Sequence, residues 1–543
     1  MSAESVDRSA LSRQEETPYG ASRTGSSFAG AVAVIGALYA AYFEFRYNGL
    51  WIENDTSVFT GTTTAMLRAG SVLFPGQYSH GFGYPAWLGV LSLETGLSPA
   101  VVNGLVAPFF GMTFALLTAY LLYRRLLRSE AATAVAAMLL FLVPDLMFTL
   151  LRGNHEKLNV PFIMLAVYSL LWFVDAERRG DFKSTITSTI LYYVSIYMNG
   201  VTNDYFGVFM VVAGLLTAAM LTLFGRRIVG GGESRDYIRR FRTTAMVSAL
   251  LMLWVMVFLF PQSAGDTTLM QTLLTKLKDL FVTQLAADNP YAIASSQWVT
   301  AGVNEVFATF HWALILLSGV SLLFIVAAVL RRRVRVRSEE FVLFCVYLAF
   351  MALVAAAVPV DLVGLSAGTN LELRNYTYFS LFAPPVTVIA LGIVRSRLGS
   401  RLRGVLVTGV LALVYGVMFI LAVPKSTVEP VSSTLWMGYT ADERAALTAF
   451  EQNARSTAMW VGGDNRLVYL YGALFPDSRS RDVVVGYSPA KSPFITDVLV
   501  SPMVTGSALA NRVALPDVHL MNRIFDNGGA QIYAPPFSSP FQY

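Results

Sequence analysis

Four short polar outcrops in an otherwise apolar chain hold side chains that could move a proton or grip a phosphate. They are Glu53 and Asp55 within Trp51-Ile52-Glu53-Asn54-Asp55-Thr56, the run Arg152-Gly153-Asn154-His155-Glu156-Lys157, Asn199 to Tyr205 with Asp204, and Glu372-Leu373-Arg374-Asn375-Tyr376. A carboxylate can take a proton from a hydroxyl, and Arg or Lys can neutralise phosphate. Together these are the equipment for transfer from a phosphate-linked donor to a hydroxyl. Each outcrop also has a plainer account. Glu53 and Asp55 fit a solvated loop, Arg152 and Lys157 could snorkel to lipid headgroups, Asp204 could cap a helix, and Arg374 could pair with Glu372 or a lipid phosphate. His155 and Glu156 are adjacent and so would not share a helix face. With four histidines in the chain, a His-rich metal site is not expected.

The elements that must position these residues follow from composition. At 55% hydrophobic and 14% charged residues, the 543-residue chain reads as an α-helical polytopic membrane protein. Its net charge of +5 comes largely from Arg clusters between apolar runs, an orientation signal rather than a nucleic-acid surface. The single cysteine, Cys345, lies inside an apolar run, which excludes a disulfide framework. Residues 1–27 are polar and lack an apolar signal segment, so a disordered cytoplasmic tail is expected.

A bilayer-crossing helix needs about 20 apolar residues. Runs at 28–45, 100–123, 132–150, 158–174, 185–199, 206–225, 244–260, 306–330, 341–359, 376–394 and 404–423 bring the expected spans to about eleven within a 28–423 transmembrane domain. Alternate loops are basic, as in Arg124, Arg125 and Arg128 or Arg331, Arg332, Arg333, Arg335 and Arg337, whereas the opposite loops hold scattered cations. That asymmetry predicts a cytoplasmic N-terminus, an external C-terminus and all four polar outcrops on the outer face. Asp145 and Pro144, inside the third run, are the one hint of a transporter's mid-membrane charge.

The long first external loop, 47–98, should be structured, with a short helix over 62–68. His80-Gly81-Phe82-Gly83-Tyr84-Pro85 reads as a turn before a further short helix, with glycines allowing close backbone approach. In the external loop 262–305, leucines at helical spacing over 268–285 suit a helix lying in the outer interface or packed on the protein. From residue 424 the pattern turns soluble and predicts a small external α/β domain, 424–543. Thr440-Ala441-Asp442-Glu443 is a capping box, strand-like runs stand at 458–461, 483–485 and 498–500, and Asn527-Gly528-Gly529 marks a hairpin.

This layout resembles the GT-C superfamily of integral-membrane glycosyltransferases, which includes protein O-mannosyltransferases and aminoarabinose transferases of lipid A. Asp55 in IENDTSVFTGTTTAMLRAG matches the position of the family's catalytic acid in the first external loop, with Glu53 beside it. GFGYPAWLG resembles the Gly/Pro stretch before the family's next helix, and Arg374 in ELRNYTYFSLFAPP resembles an arginine that faces donor phosphate. RIFDNGGAQIYA is similar to the closing hairpin of such external domains. The first loop reads Glu-Asn-Asp where some relatives have adjacent acids, which leaves open which carboxylate is the base. The tryptophan-tryptophan-aspartate motif of oligosaccharyltransferases is absent, which argues against transfer of whole glycans to asparagine.

The resemblance implies a glycosyltransferase of the cytoplasmic membrane that moves a sugar from a polyprenyl-phosphate donor to a glycan, lipid or protein acceptor. Asp55 would be the base, Arg374 with Lys157 or Arg152 would meet the departing phosphate, and His155, Glu156, Asp204, His80 and Tyr84 would orient substrate. No cofactor is required, although Glu53 and Asp55 could share a divalent metal. The rival expectations are a transporter or flippase of lipid-linked glycans, and a surface-polysaccharide polymerase or ligase.

Overall fold

The computed structural model describes residues 23–47, 54–72, 81–228, 232–258, 301–331, 334, 336–362, 371–397, 409, 413–420, 422, 439–453, 457–462, 464–478, 481–484, 496–510 and 517–534. Glu53, His80 and the helix expected over 268–285 lie outside the described residues, as do most of the N-terminal tail and much of 404–423.

The membrane part is a helical bundle. In chain order it comprises α1 (Arg23–Tyr47), α2 (Asn54–Ala69), α3 (Gly83–Thr95), α4 (Pro99–Leu127), α5 (Glu130–Leu142), α6 (Pro144–Leu151), α7 (Glu156–Arg179), α8 (Phe182–Thr202), α9 (Asp204–Ile228), α10 (Gly232–Phe258), α11 (Ala301–Leu330), α12 (Ser338–Leu362) and α13 (Leu371–Arg397). Among the described residues, six helices are long and apolar enough to cross a membrane, or seven if the bent pair α5 and α6 counts as one. The expected eleven is therefore not reached among the described residues. The third run, read as one span over 132–150, breaks by 81° where Pro144 follows Val143. Proline has no N–H to continue the helical ladder, which accounts for the break. Helix α1 begins at Arg23, before the apolar run that predicts it.

Inside the bundle the packing is aromatic and tight. Tyr123 donates to the Leu381 carbonyl at 2.5 Å, tying α4 to α13, and Phe350 stacks on Phe382 at 5.2 Å. The arginine-rich end of the bundle is knitted by ion pairs. Arg125 pairs with Asp175, Arg128 with Glu339 at 2.9 Å, and Arg240 with Glu177 at 2.6 Å.

The C-terminal part, from α14 (Ala441–Asn453) onward, follows its sequence signals closely. Thr440 N–H donates to Glu443 at 3.1 Å and Glu443 N–H donates back to the Thr440 hydroxyl at 3.0 Å, the reciprocal capping box expected. Then come β1 (Ala458–Trp460), α15 (Asn465–Leu474), β2 (Asp482–Val484), β3 (Thr496–Val500), α16 (Pro502–Ala510), β4 (Asn522–Asp526) and β5 (Gln531–Ala534). The sheet order is β2-β1-β3-β5-β4. β1 runs parallel to β2 and β3, while β5 is antiparallel to β3 and β4. Gly528, with φ of 90°, turns the β4–β5 hairpin through backbone space that favours glycine.

Candidate active site

Asp55 stands in the first turn of α2, where a carboxylate suits the positive end of the helix dipole. The sequence predicts a helix over 62–68 alone, because NDTSVFTGTTTAMLRA is rich in threonine, a weak helix former. In the structure, threonine hydroxyls bond back one turn. Thr60 reaches the Thr56 carbonyl at 2.6 Å and Thr63 the Phe59 carbonyl at 2.7 Å. Phe59, Thr60 and Thr63 are buried, so packing rather than propensity holds α2. The half-buried Asp55 is therefore a helix residue and not a loop residue.

Three neighbours fix the start of α2 from the side of the helical bundle. The Gly153 amide donates to Thr56 Oγ1 at 3.1 Å, which places Asp55 and Arg152 each one residue from a direct contact. Asn103 donates from Nδ2 to the Thr56 carbonyl at 3.0 Å and to Thr60 Oγ1 at 3.2 Å, and accepts from the Tyr84 hydroxyl at 2.7 Å. Asn103 lies in a π-helical segment, Val102–Val106, near the start of α4. Such bulges locally re-aim side chains and are frequent at functional sites. Tyr84 is fully buried, with its ring edge-on to Phe59 at 5.1 Å. It thus acts on α2 both directly, at Phe59, and through Asn103.

The run 152–157 divides its side chains between three directions. Arg152 donates to Glu156 Oε2 at 3.1 Å and lies 5.4 Å from the Phe148 ring centroid. Asn154 donates to the same oxygen at 3.1 Å, and its own Oδ1 accepts the Glu156 amide at 2.8 Å. Glu156 also lies in the electrostatic field of Arg374, which α13 brings to this end of the bundle. One guanidinium thus bonds the carboxylate and a second acts on it through its field. His155 turns elsewhere, 2.6 Å from Asn203 Nδ2 and edge-on to Phe59 at 5.1 Å. Asn203 closes α8 and precedes Asp204, the first residue of α9; the Asp204 side chain lies outside the described residues.

Lys157 is held inside the bundle. It is fully buried, donates to the Leu151 carbonyl at 3.0 Å and lies in the field of Glu44. A Cβ on Gly111 would come within 3.0 Å of the Lys157 stem, so the glycine makes room for it. A glutamate near the end of the first apolar run gives no sequence signal of this partnership. The glycines of the GFG turn also work by close approach. A Cβ on Gly81 would lie 2.5 Å from the Thr202 carbonyl oxygen, and one on Gly83 would lie 2.8 Å from Thr202 Oγ1.

From the other side, the C-terminal domain lies on α2. Ser57 donates to the Tyr439 hydroxyl at 2.7 Å, and Arg68 pairs with Asp477 at 2.8 Å. Asn103, Tyr439 and Glu44 are absent from the sequence-predicted set, since each is a lone polar residue whose partner is distant in the chain. Among the described residues, no group of three or more His, Cys, Asp or Glu could hold a metal ion.

No family model matches the chain, and no curated protein matches its sequence. Solved structures do match its fold. The archaeal oligosaccharyltransferase AglB from Archaeoglobus fulgidus, in complex with an inhibitory peptide and a dolichol-phosphate, aligns at 13% identity with a TM-score of 0.57, covering 95% of this chain and 75% of that one. ArnT from Cupriavidus metallidurans, bound to undecaprenyl phosphate, aligns at 14% identity with a TM-score of 0.51, covering 94% of this chain and 98% of that one. The Archaeoglobus fulgidus oligosaccharyltransferase in complex with zinc and sulfate aligns at 14% identity with a TM-score of 0.50, covering 84% of this chain and 62% of that one. This chain shares the fold of the oligosaccharyltransferase AglB and of ArnT.

Proposed function

We propose that the chain is a membrane glycosyltransferase that moves a sugar from a polyprenyl-phosphate donor to an acceptor hydroxyl on the outer face of the cytoplasmic membrane. The observation that supports this reading is the Thr56–Gly153 contact, in which the residue after Asp55 meets the residue after Arg152. The fold adds support, since neighbours sharing it were solved with dolichol-phosphate and with undecaprenyl phosphate.

In the proposed step, the acceptor O–H gives its proton to Asp55 while its oxygen attacks the sugar's anomeric carbon. The bond from that carbon to the phosphate oxygen breaks, and the electron pair leaves with the phosphate. Arg374 and Arg152 neutralise the charge that develops there, the role for which fixed cationic donors are most effective. Glu156 holds Arg152 in place; His155 braces α2 against the end of α8. Lys157, enclosed by Leu151, Gly111 and Glu44, steadies the start of α7. A divalent cation, where the reaction uses one, would meet Asp55 and Glu53.

The absence of a tryptophan-tryptophan-aspartate motif favours a hydroxyl acceptor over asparagine. The rival reading, a carrier of lipid-linked glycans, draws on the 81° break at Pro144 with Asp145 in the following turn. Full-length protein in vesicles separates the two. The transferase reading expects radiolabel to pass from polyprenyl-phosphate sugar to a water-soluble or lipid acceptor, with free polyprenyl phosphate released. Movement of intact donor between leaflets, with no label transferred, would contradict it.

A further inference from the structure

We propose that the external domain sets the position of Asp55, and that Tyr439 is the positioning residue through which it does so. The inference rests on the reading of Asp55 as the base. Thr56 and Ser57 are consecutive, so their side chains leave α2 about 100° apart. Thr56 is seated on Gly153 and Asn103 of the membrane bundle, whereas Ser57 donates to Tyr439 Oη at 2.7 Å. Two docks on adjacent residues, pointing different ways, fix rotation of the helix about its axis as well as its height. The direction of the Asp55 carboxylate follows from that rotation.

The Tyr439 hydroxyl is itself firmly held. It donates to the Arg466 carbonyl at 3.2 Å, and the Arg466 guanidinium lies 5.7 Å from the ring centroid. Arg466 is in turn gripped by Asp464, at 2.9 Å from Nε, and by Glu443 at 3.3 Å. Glu443 closes the capping box of α14 and accepts from Ser501 at 2.8 Å. The bond from α2 therefore runs into the ion-paired core of the external domain. Ser57 and Tyr439 are both buried, at 1% and 6% exposure, so water does not readily replace the bond. At the far end of α2, Arg68 donates to the Pro476 carbonyl at 2.7 Å and pairs with Asp477, but these side chains are 44% and 88% exposed and the ion pair is correspondingly weak. Helix α15 also packs along α2, and within that contact the buried hydrogen bond from Ser57 to Tyr439, 382 positions along the chain, is the one at the turn that carries Asp55.

Two measurements on the full-length protein test this. The first is amide hydrogen exchange, which needs no substrate. Tyr439→Phe should speed exchange in the first turns of α2 and leave α7 and α13 unchanged; unchanged exchange in α2 would overturn the proposal. The second is transfer from a radiolabelled polyprenyl-phosphate hexose. Small misplacements of a reacting group can cost up to about 10²-fold, so Tyr439→Phe should lower kcat by roughly 10-fold or more with donor KM little changed. In an Asp55→Asn background the same substitution should cost nothing further, because its effect passes through Asp55. An equal loss in both backgrounds, or full kcat in Tyr439→Phe, would overturn the positioning role. Ser57→Ala should reproduce the Tyr439→Phe result, and it carries the test where Tyr439→Phe fails to fold. Full transfer by Asp55→Asn alone would strike down the base assignment first. Loss in Asp55→Asn with none in Tyr439→Phe would strike down this inference alone.

Discussion

Thr56 and Gly153 meet at 3.1 Å between Oγ1 and the amide nitrogen, and the contact leaves no space for a side chain at 153. A Cβ there would lie 2.6 Å from Thr56 Oγ1 and 2.8 Å from Asn103 Oδ1, both buried. Gly153→Ala should therefore push α2 away from the Arg152 cluster. We expect a loss of about 1–3 kcal/mol in stability, the usual range for overpacking a close-packed site, together with a large loss of transfer. Thermal unfolding in detergent and a transfer assay check the two parts. Unchanged values in both would mean that α2 is not seated there.

Glu156 is the counter-ion of its cluster, with a side chain 8% exposed. Removing one partner of a buried pair leaves the other charge uncompensated, which typically costs about 3–5 kcal/mol. Glu156→Ala should approach that range, and Glu156→Gln, which keeps the size and part of the hydrogen bonding, should cost less. Arg68→Ala is the contrast: an exposed pair of this kind contributes about 0–1 kcal/mol. Denaturant melts of the three variants should fall in that order.

Arg374→Lys replaces a planar fork with a point charge. A guanidinium can meet two phosphate oxygens at once and an ammonium cannot, so transfer should fall while the protein still inserts and folds. Steady-state kinetics with polyprenyl-phosphate sugar, alongside a melting curve, separates these effects. Wild-type turnover in the lysine variant would move the phosphate role to Arg152.

How much of this was legible depended on the reach of each interaction. The capping box at Thr440 and Glu443 and the hairpin at Asn527-Gly528-Gly529 stand in the structure where their residues predict them, because both motifs are closed within a few positions. The helix over 83–95 was readable from its glycines and proline for the same reason. The true length of α2 was hidden, since threonines argue against a helix and only burial against residues distant in the chain, such as Asn103, His155 and Tyr439, overrides them. Asp55 and Arg374 stand out as charges at the ends of apolar runs. Asn103 does not, because a single amide in an apolar helix shows no sign of the π segment that aims it. The burial of Lys157 likewise depends on Gly111, in a different helix, being small.

The arginine clusters predict which way the bundle faces. Reporter fusions after Arg337 and near the C-terminus should report opposite sides of the membrane, with the Arg337 site cytoplasmic. Finding both sites inside would move the proposed site to the wrong face for an externally delivered acceptor.

The most direct test is the activity of Asp55→Asn, measured in membranes with a radiolabelled lipid-linked sugar and beside Glu53→Gln. Asparagine keeps the size and hydrogen-bonding capacity of Asp55 but cannot take a proton from the acceptor. Transfer should fall by about 10²- to 10⁴-fold, the usual contribution of a general base, with melting behaviour little changed and a smaller loss in Glu53→Gln. Equal losses in the two variants would point to a carboxylate pair or a shared cation. Full activity in Asp55→Asn would contradict the account and remove the start of α2 from the active site.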